Sequence, residues 1–300
     1  MKSELKQIRE NTWCITGHQL IPVYKTDESH CILLDTGVRG FRDQLEILLL
    51  QAGLKPAGII QTHTHYDHFG STAYFQEKYG AVVAMPIGEA EISRTLAGIK
   101  SHLFVFPIGQ LAHDPKYSDI PCRADLLIEE DQTAVTVAGV TFEVLHTPGH
   151  AIDHISIVTP DRVCCVGDAL FSEPVMAAMK LPYAFDFTKC LDSIESLRGG
   201  DWPVMILSHC GIEKPPYDHL IDVNRDRMLA QYREVLSLVD RPMHSVEICD
   251  ALGEKMGVCP SVPEKAQDLE RFLRPYLECM VDRGDLRLVM DHHALCYAPV

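Results

Sequence analysis

At 300 residues the chain exceeds one ordinary domain, which predicts one large domain and a small one. With 46% hydrophobic and 23% charged residues it has the make-up of a globular chain, not of a disordered one. A formal net charge of -15 argues against broad attraction to nucleic acid or an anionic membrane, and no apolar run approaches the roughly 20 residues of a membrane span.

The first 35 residues read as strands. Residues 11–17, 19–24 and 31–34 are short β-prone runs separated by turn residues, and Asp35-Thr36-Gly37 ends the third. Phe41, Leu45, Leu48 and Leu49 have helical spacing over 41–51, with Gly53 as the stop. Residues 57–61 form a nearly all-apolar strand, as in a sheet covered on both faces. From Asp67 the pattern predicts a helix closed by Gly80, then a strand at 81–84, then a helix from Pro86 to about Gly98. Residues 99–121 are rich in Pro and read as a long connection. Strands resume at 125–128, 134–137, 140–145, 154–158 and 162–166. A helix near 188–198 and a strand at 202–207 follow, and 172–187 reads as a flap. Two such halves predict an α/β architecture of two sheets packed face to face with helices outside. After His209, Pro215-Pro216 mark a break, and helices are predicted at 217–239, 244–256 and 264–283 before a hairpin at 284–298. The predicted division is therefore a catalytic domain over 1–212 and a small helical, winged-helix-like unit over 213–300. Acidic side chains outnumber basic ones in that second unit, which does not favour DNA reading.

The 11 cysteines are scattered with no Cys-x-x-Cys pair, and they read as reduced, buried, small apolar residues. The N-terminus has no apolar signal core, which predicts a cytoplasmic location.

The chemistry concentrates in Thr62-His63-Thr64-His65-Tyr66-Asp67-His68, where three histidines and an aspartate follow an apolar strand. Strand ends in open α/β sheets are where ligands usually bind. Imidazole and carboxylate suit zinc, iron, manganese or nickel. His63 and His65 lie two apart, so in an extended segment they point the same way, whereas Asp67 and His68 open a helix and project differently. One run thus serves two neighbouring positions, and neither pair alone completes a tetrahedral site. Three later strand ends offer further donors. In Leu145-His146-Thr147-Pro148-Gly149-His150, Pro148 and Gly149 forbid a regular helix, and His146 at the strand end is the next candidate ligand. His150 is read as standing outside the ligand set or facing substrate. Asp168 reads either as a carboxylate bridging two metals or as a turn residue. His209 reads either as a ligand or as a hydrogen-bonded core residue, and Cys210 either as a soft ligand or, more simply, as a buried thiol. Asp35 reads equally as a brace beneath the site or as a turn residue.

Taken together, His63-x-His65-x-Asp67-His68, His146, Asp168 and His209 resemble the metal motif of the metallo-β-lactamase superfamily, over roughly residues 8–212. The resemblance implies a four-layer αβ/βα sandwich with two divalent metals at one edge of the sheets. It implies that His63, His65 and His146 hold the first ion and Asp67, His68 and His209 the second, with Asp168 bridging. It also implies hydrolysis by a hydroxide shared between the ions, with Asp67 orienting it or receiving a proton. His65 stands where the two-iron redox branch usually has glutamate, and no flavodoxin-like half follows. Zinc is therefore favoured, with iron, manganese or nickel also compatible. His-Thr-Pro-Gly-His and Gly-Asp-Ala-Leu-Phe look like the glyoxalase II-related branch, which cleaves thioesters of small molecules. Phe171 replaces a tyrosine often found in the lactone-cleaving branch. Tyr183 is read as reaching the site from the flap. The C-terminal region resembles the tail of a hydrolase group that includes single-strand RNA endonucleases. That makes phosphodiester hydrolysis the alternative enzyme reading. Such a tail covers an active site or forms a homodimer interface. A non-enzymatic metal-binding sensor is the third reading, and the complete ligand set weighs against it.

Overall fold

The computed structural model describes residues 3–17, 19–103, 113, 114, 117 and 119–300. Much of the connection expected at 99–121 lies outside these residues.

Alternation of buried side chains builds the centre of the molecule. In β4 (His30–Leu34), Ile32 and Leu34 face inward between two sheets while Leu33 faces the outer helices. The first sheet runs in the order β1 (Glu4–Arg9), β2 (Thr12–Thr16), β3 (Ile21–Lys25), β4, β5 (Lys55–Ile60), β6 (Val82–Pro86), β7 (Leu126–Ile128). The second runs β13 (Gly211–Glu213), β12 (Val204–Leu207), β11 (Val163–Cys165), β10 (Ile155–Val158), β9 (Val140–His146), β8 (Ala134–Val137). Between them lies an apolar layer that includes Ile32, Ile60 and Ala84 from one sheet and Phe142, Ile157 and Ile206 from the other.

Helices cover both outer faces. Leu45 and Leu49 of α1 (Arg42–Gln51) and Phe75 of α3 (Thr72–Tyr79) pack on the first sheet. The second sheet is covered by α7 (Phe187–Ser196), α8 (Asp218–Leu236) and α10 (Pro263–Asp282). The result is the expected four-layer α/β sandwich. At the C-terminus α8, α9 (Ser245–Met256) and α10 precede a hairpin of β14 (Leu286–Asp291) and β15 (Ala294–Pro299), in the predicted order. Position 212 marks no break in the core. Leu170, Phe187 and Ile194 share one apolar cluster with Met228, Leu252, Tyr276 and Leu286. Tyr276 also donates a buried hydrogen bond to the Pro182 carbonyl at 2.8 Å. No helix among the described residues is long and apolar enough to cross a membrane.

Several local readings differ from expectation. The helix expected over 67–80 is broken into α2 (Tyr66–Phe69) and α3, because the backbone leaves helical dihedrals at Ser71, with φ -119 and ψ 2. The helix expected over 86–98 is two pieces, α4 (Ile87–Ser93) and α5 (Leu96–Leu103). The flap at 172–187 contains a short helix, α6 (Glu173–Ala178).

Candidate metal centre

Parallel pairing places strand ends side by side. β4 pairs parallel with β5, and β11 with β12, so Asp35, the His63–His68 run, Asp168 and His209 all follow C-terminal strand ends at one edge of the sandwich. The amide of Ile155 donates to the Thr62 carbonyl at 3.0 Å and joins the two sheets there.

Three imidazoles converge first. His63 Nε2 and His150 Nε2 each lie 3.0 Å from His65 Nδ1. A tetrahedral ion with bonds of about 2.0–2.1 Å has nitrogens roughly 3.3 Å apart, so the spacing fits zinc. A second group is Asp67, His68 and His209, with His209 Nε2 3.4 Å and His68 Nε2 3.8 Å from Asp67 Oδ2. Asp168 faces both groups. Its Oδ2 lies 3.4 Å from His150 Nε2 and 3.2 Å from His209 Nε2, and its Oδ1 lies 3.3 Å from His68 Nε2.

The hydrogen bonds behind the rings decide which nitrogens face inward. Asp35, at φ 65, accepts from the Thr62 amide and hydroxyl and from His68 Nδ1, each at 2.8 Å. Because the Thr62 hydroxyl proton goes to Asp35, His63 Nδ1 donates to Thr62 Oγ1 at 3.0 Å. The inward Nε2 atoms of His63 and His68 are thereby the ligand-capable ones, in the arrangement that outer carboxylates impose on metal-binding histidines. Asp35 braces the cluster from beneath in addition to turning the chain.

Burial and charge divide the two groups. Burial, then neighbouring rings, holds His63 and His65 well below the ordinary imidazole range. Burial lowers His150 to about 4, against the pull of Asp168. For His68 burial acts downward, but Asp168, Asp67 and Asp35 outweigh it and hold the ring well above its usual range. His209 is raised to about 10, because Asp168 and Asp67 outweigh burial. The Asp168 carboxyl is held well below its usual range despite burial, by His68 and His209. The His65 Nε2, His150 Nδ1 and Asp168 Oδ1 atoms are buried without a hydrogen-bond partner. A carboxylate-rich group that draws protons onto its imidazoles, beside three neutral rings, is a donor set that fits divalent cations.

His146 requires a correction. Its Nε2 lies 2.9 Å from the Gln132 carbonyl, and it does not join the convergent rings. It is still within β9, opposite Ile155, where the pleat directs its ring toward Gln132. The chain then turns, with Gly149 at φ 120 and its amide donating to the Ala151 carbonyl at 3.0 Å, and that turn carries His150 inward. Gly149 is obligatory because a Cβ there would overlap the Cys190 backbone.

Phe171 and Tyr183 both reach the site. Phe171 stacks on His209 with centroids 5.7 Å apart, and Tyr183 lies 5.4 Å from His65 and 5.5 Å from His150. A cavity of about 450 Å³ opens over the centre, walled by these rings, Asp268, Arg271 and Phe272. The last three belong to α10, so the C-terminal region forms part of the wall. Cys210 is exposed rather than buried.

Other participants carried no signal of their own in the sequence. His154 is fully buried. It donates from Nδ1 toward Thr147 Oγ1 at 2.9 Å and accepts the Asp168 amide at 3.1 Å, and burial lowers it to about 3. Buried Glu89 accepts from the Thr64 amide and hydroxyl and, at 3.1 Å, from the Asp153 amide, tying together the two histidine-bearing loops. His102 lies 5.3 Å from His65. Spacing from the motif singles out none of the three, because each comes from a separate element.

The family model described as the metallo-β-lactamase superfamily matches residues 23–209. A hydroxyacylglutathione hydrolase of Rhodopseudomonas palustris (strain BisB5) is 35% identical over 127 residues, which is 41% of this chain and 38% of that protein. One of Thiobacillus denitrificans (strain ATCC 25259 / T1) is 26% identical over 145 residues, 48% of this chain and 44% of that protein. The chain therefore matches less than half the length of these relatives. Among solved structures, a metallo-β-lactamase family protein from Thermus thermophilus has a TM-score of 0.72 at 20% identity, over 100% of this chain and 98% of that one. A β-lactamase domain protein from Burkholderia ambifaria has a TM-score of 0.70 at 15% identity, over 99% and 94%. At these identities the likeness is one of fold, and it extends through the C-terminal helices.

Proposed function

The chain belongs to the metallo-β-lactamase superfamily, and from that premise we propose that it is a two-metal hydrolase, zinc-dependent by its donor set, cleaving a thioester or ester of a small molecule. The observation that carries this reading is the approach of His63 Nε2 and His150 Nε2 to His65 Nδ1, each at 3.0 Å, beside a carboxylate that also faces a second His/Asp group. His63, His65 and His150 would hold one ion. Asp67, His68 and His209 would hold the other, with Asp168 between them. Bound there, such ions supply Lewis acidity and bring the pKa of a water toward neutrality.

The chain's own residues do the rest. Asp35 and Thr62 keep ring protons on the outward nitrogens of His68 and His63. Asp67 borders the cavity and is placed to take a proton from the attacking water. Phe171, Tyr183 and Phe272 exclude water from one side of the reacting group and offer apolar surface to an acyl chain. The thioester preference is supported by relatives named for hydrolysing a hydroxyacylglutathione. The net charge of -15 and the aspartates around the cavity weigh against a polyanionic substrate.

The test is a substrate panel with metal analysis of the purified protein, comparing glutathione thioesters, acyl-CoA thioesters, lactones and phosphodiesters. Thioester turnover with about two metal equivalents per chain is expected. Cleavage of the phosphodiester alone would reject the thioester assignment. Full turnover by Asp168→Ala would reject the site itself.

A further inference from the structure

The C-terminal hairpin carries donors that the centre described above does not use. In its register Val289 faces Cys296 and Asp291 faces Ala294. Side chains alternate along a strand, so Asp291 and Cys296 are diagonal neighbours on one face. A bridge between Met243 and Tyr297 brings the residue before α9 against the same strand. Donor atoms of His244, Asp291 and Cys296 consequently lie within 4.8 Å of one another. Cys296 is buried, His244 half-buried and Asp291 exposed, so the cluster opens to solvent on one side. His292 adjoins it, with Nε2 3.8 Å from Asp291 Oδ1.

The His244 ring has two partners. Its side chain accepts the Glu247 amide as the cap of α9, and Cys296 Sγ lies 3.1 Å from Nδ1 but 3.9 Å from Nε2, so Nδ1 is the nitrogen that faces the sulfur. Zinc bonds of about 2.0–2.1 Å to nitrogen and about 2.3 Å to sulfur separate those atoms by roughly 3.6 Å in a tetrahedron.

We propose that His244, Asp291 and Cys296 form a zinc-type metal site, distinct from the two-group centre, that pins the hairpin to the start of α9. On binding, the thiol releases its proton to solvent, the imidazole keeps its proton on Nε2, and Nδ1 turns from the Glu247 amide to the ion. The ion then meets a thiolate, a neutral imidazole and a carboxylate. The Glu247 amide loses its cap in exchange. Water or His292 completes the fourth position.

Cobalt(II) titration of the metal-free, full-length protein tests this directly. Thiolate ligation gives an intense near-ultraviolet charge-transfer band that a centre built only of His and Asp lacks. The wild type is expected to show the band and to bind one more cobalt equivalent than Cys296→Ser, in which the band disappears. Asp291→Asn, a change at an exposed position, is expected to weaken that equivalent at least about tenfold. Cys210→Ser, beside the other centre, is expected to keep the band. The site is rejected if the wild type shows no band, if the band survives in Cys296→Ser, or if it vanishes in Cys210→Ser. Should Cys296→Ser fail to fold, unchanged cobalt affinity in Asp291→Asn rejects it equally.

Discussion

An imidazole binds a divalent ion only through an unprotonated nitrogen, and burial keeps His63, His65 and His150 in that state. His150→Ala is therefore expected to weaken metal binding at least about tenfold, measured by competition with a chromogenic chelator. His146→Ala is expected to leave metal content unchanged, since that ring bonds to Gln132. The reverse pattern would restore His146 as the ligand. Thiols divide by the same physics. Burial pushes Cys14, Cys31, Cys122 and Cys190 up to about 12, while Cys210 and Cys259 are exposed. Thiolate is the reactive form. Modification should therefore fall first on Cys210 and Cys259, which solvent reaches. The four buried thiols should stay silent until the protein unfolds. Mass mapping of a maleimide pulse reads this out, and early labelling of Cys14 or Cys190 would contradict it.

Elements differ in how plainly their residues announce them. Buried strands such as β12 and the 57–60 part of β5 are continuous apolar runs and read directly from the chain. β1 and β13 do not, because both are edge strands with mostly exposed or half-exposed side chains. The turn between β9 and β10 illustrates the other limit. Its glycine is visible in the sequence, but which histidine it turns inward depends on the register of His146 with Ile155. Gly149→Ala is expected to cost at least about 1–3 kcal/mol from backbone strain alone, with further loss from overlap with Cys190. Urea denaturation measures it, and wild-type stability would show that the turn tolerates a Cβ. Tyr276→Phe removes one buried hydrogen bond to Pro182 and should cost about 0.5–1.5 kcal/mol by the same measurement.

Across the molecule, the C-terminal helices complete the second outer layer. One cluster joins Leu170, Phe187 and Ile194 to Met228, Tyr276 and Leu286, so removal of the residues after 212 would uncover an apolar face. A fragment of residues 1–212 is expected to be insoluble or protease-sensitive, because it would expose that face to water. Limited proteolysis of the fragment checks this, and a compact, resistant fragment would establish an independent catalytic unit. The same packing puts Asp268, Arg271 and Phe272 of α10 in the cavity wall, so this region shapes what the centre can accept.

The family, the layered α/β class and the candidate donors His63, His65, Asp67, His68, Asp168 and His209 are legible in the chain alone. His63, His65, Asp67 and His68 stand together after one apolar strand, whereas Asp168 and His209, open to turn or core readings by position, enter through the family resemblance of the whole pattern. Periodicity likewise locates the C-terminal helices and hairpin. The choice between His146 and His150, the recruitment of His154 and Glu89 as supports, and the approach of His244 to Cys296 came from the folded molecule. Those outcomes depend on the direction of a side chain after a turn and on contacts between residues far apart in the chain, neither of which local pattern encodes.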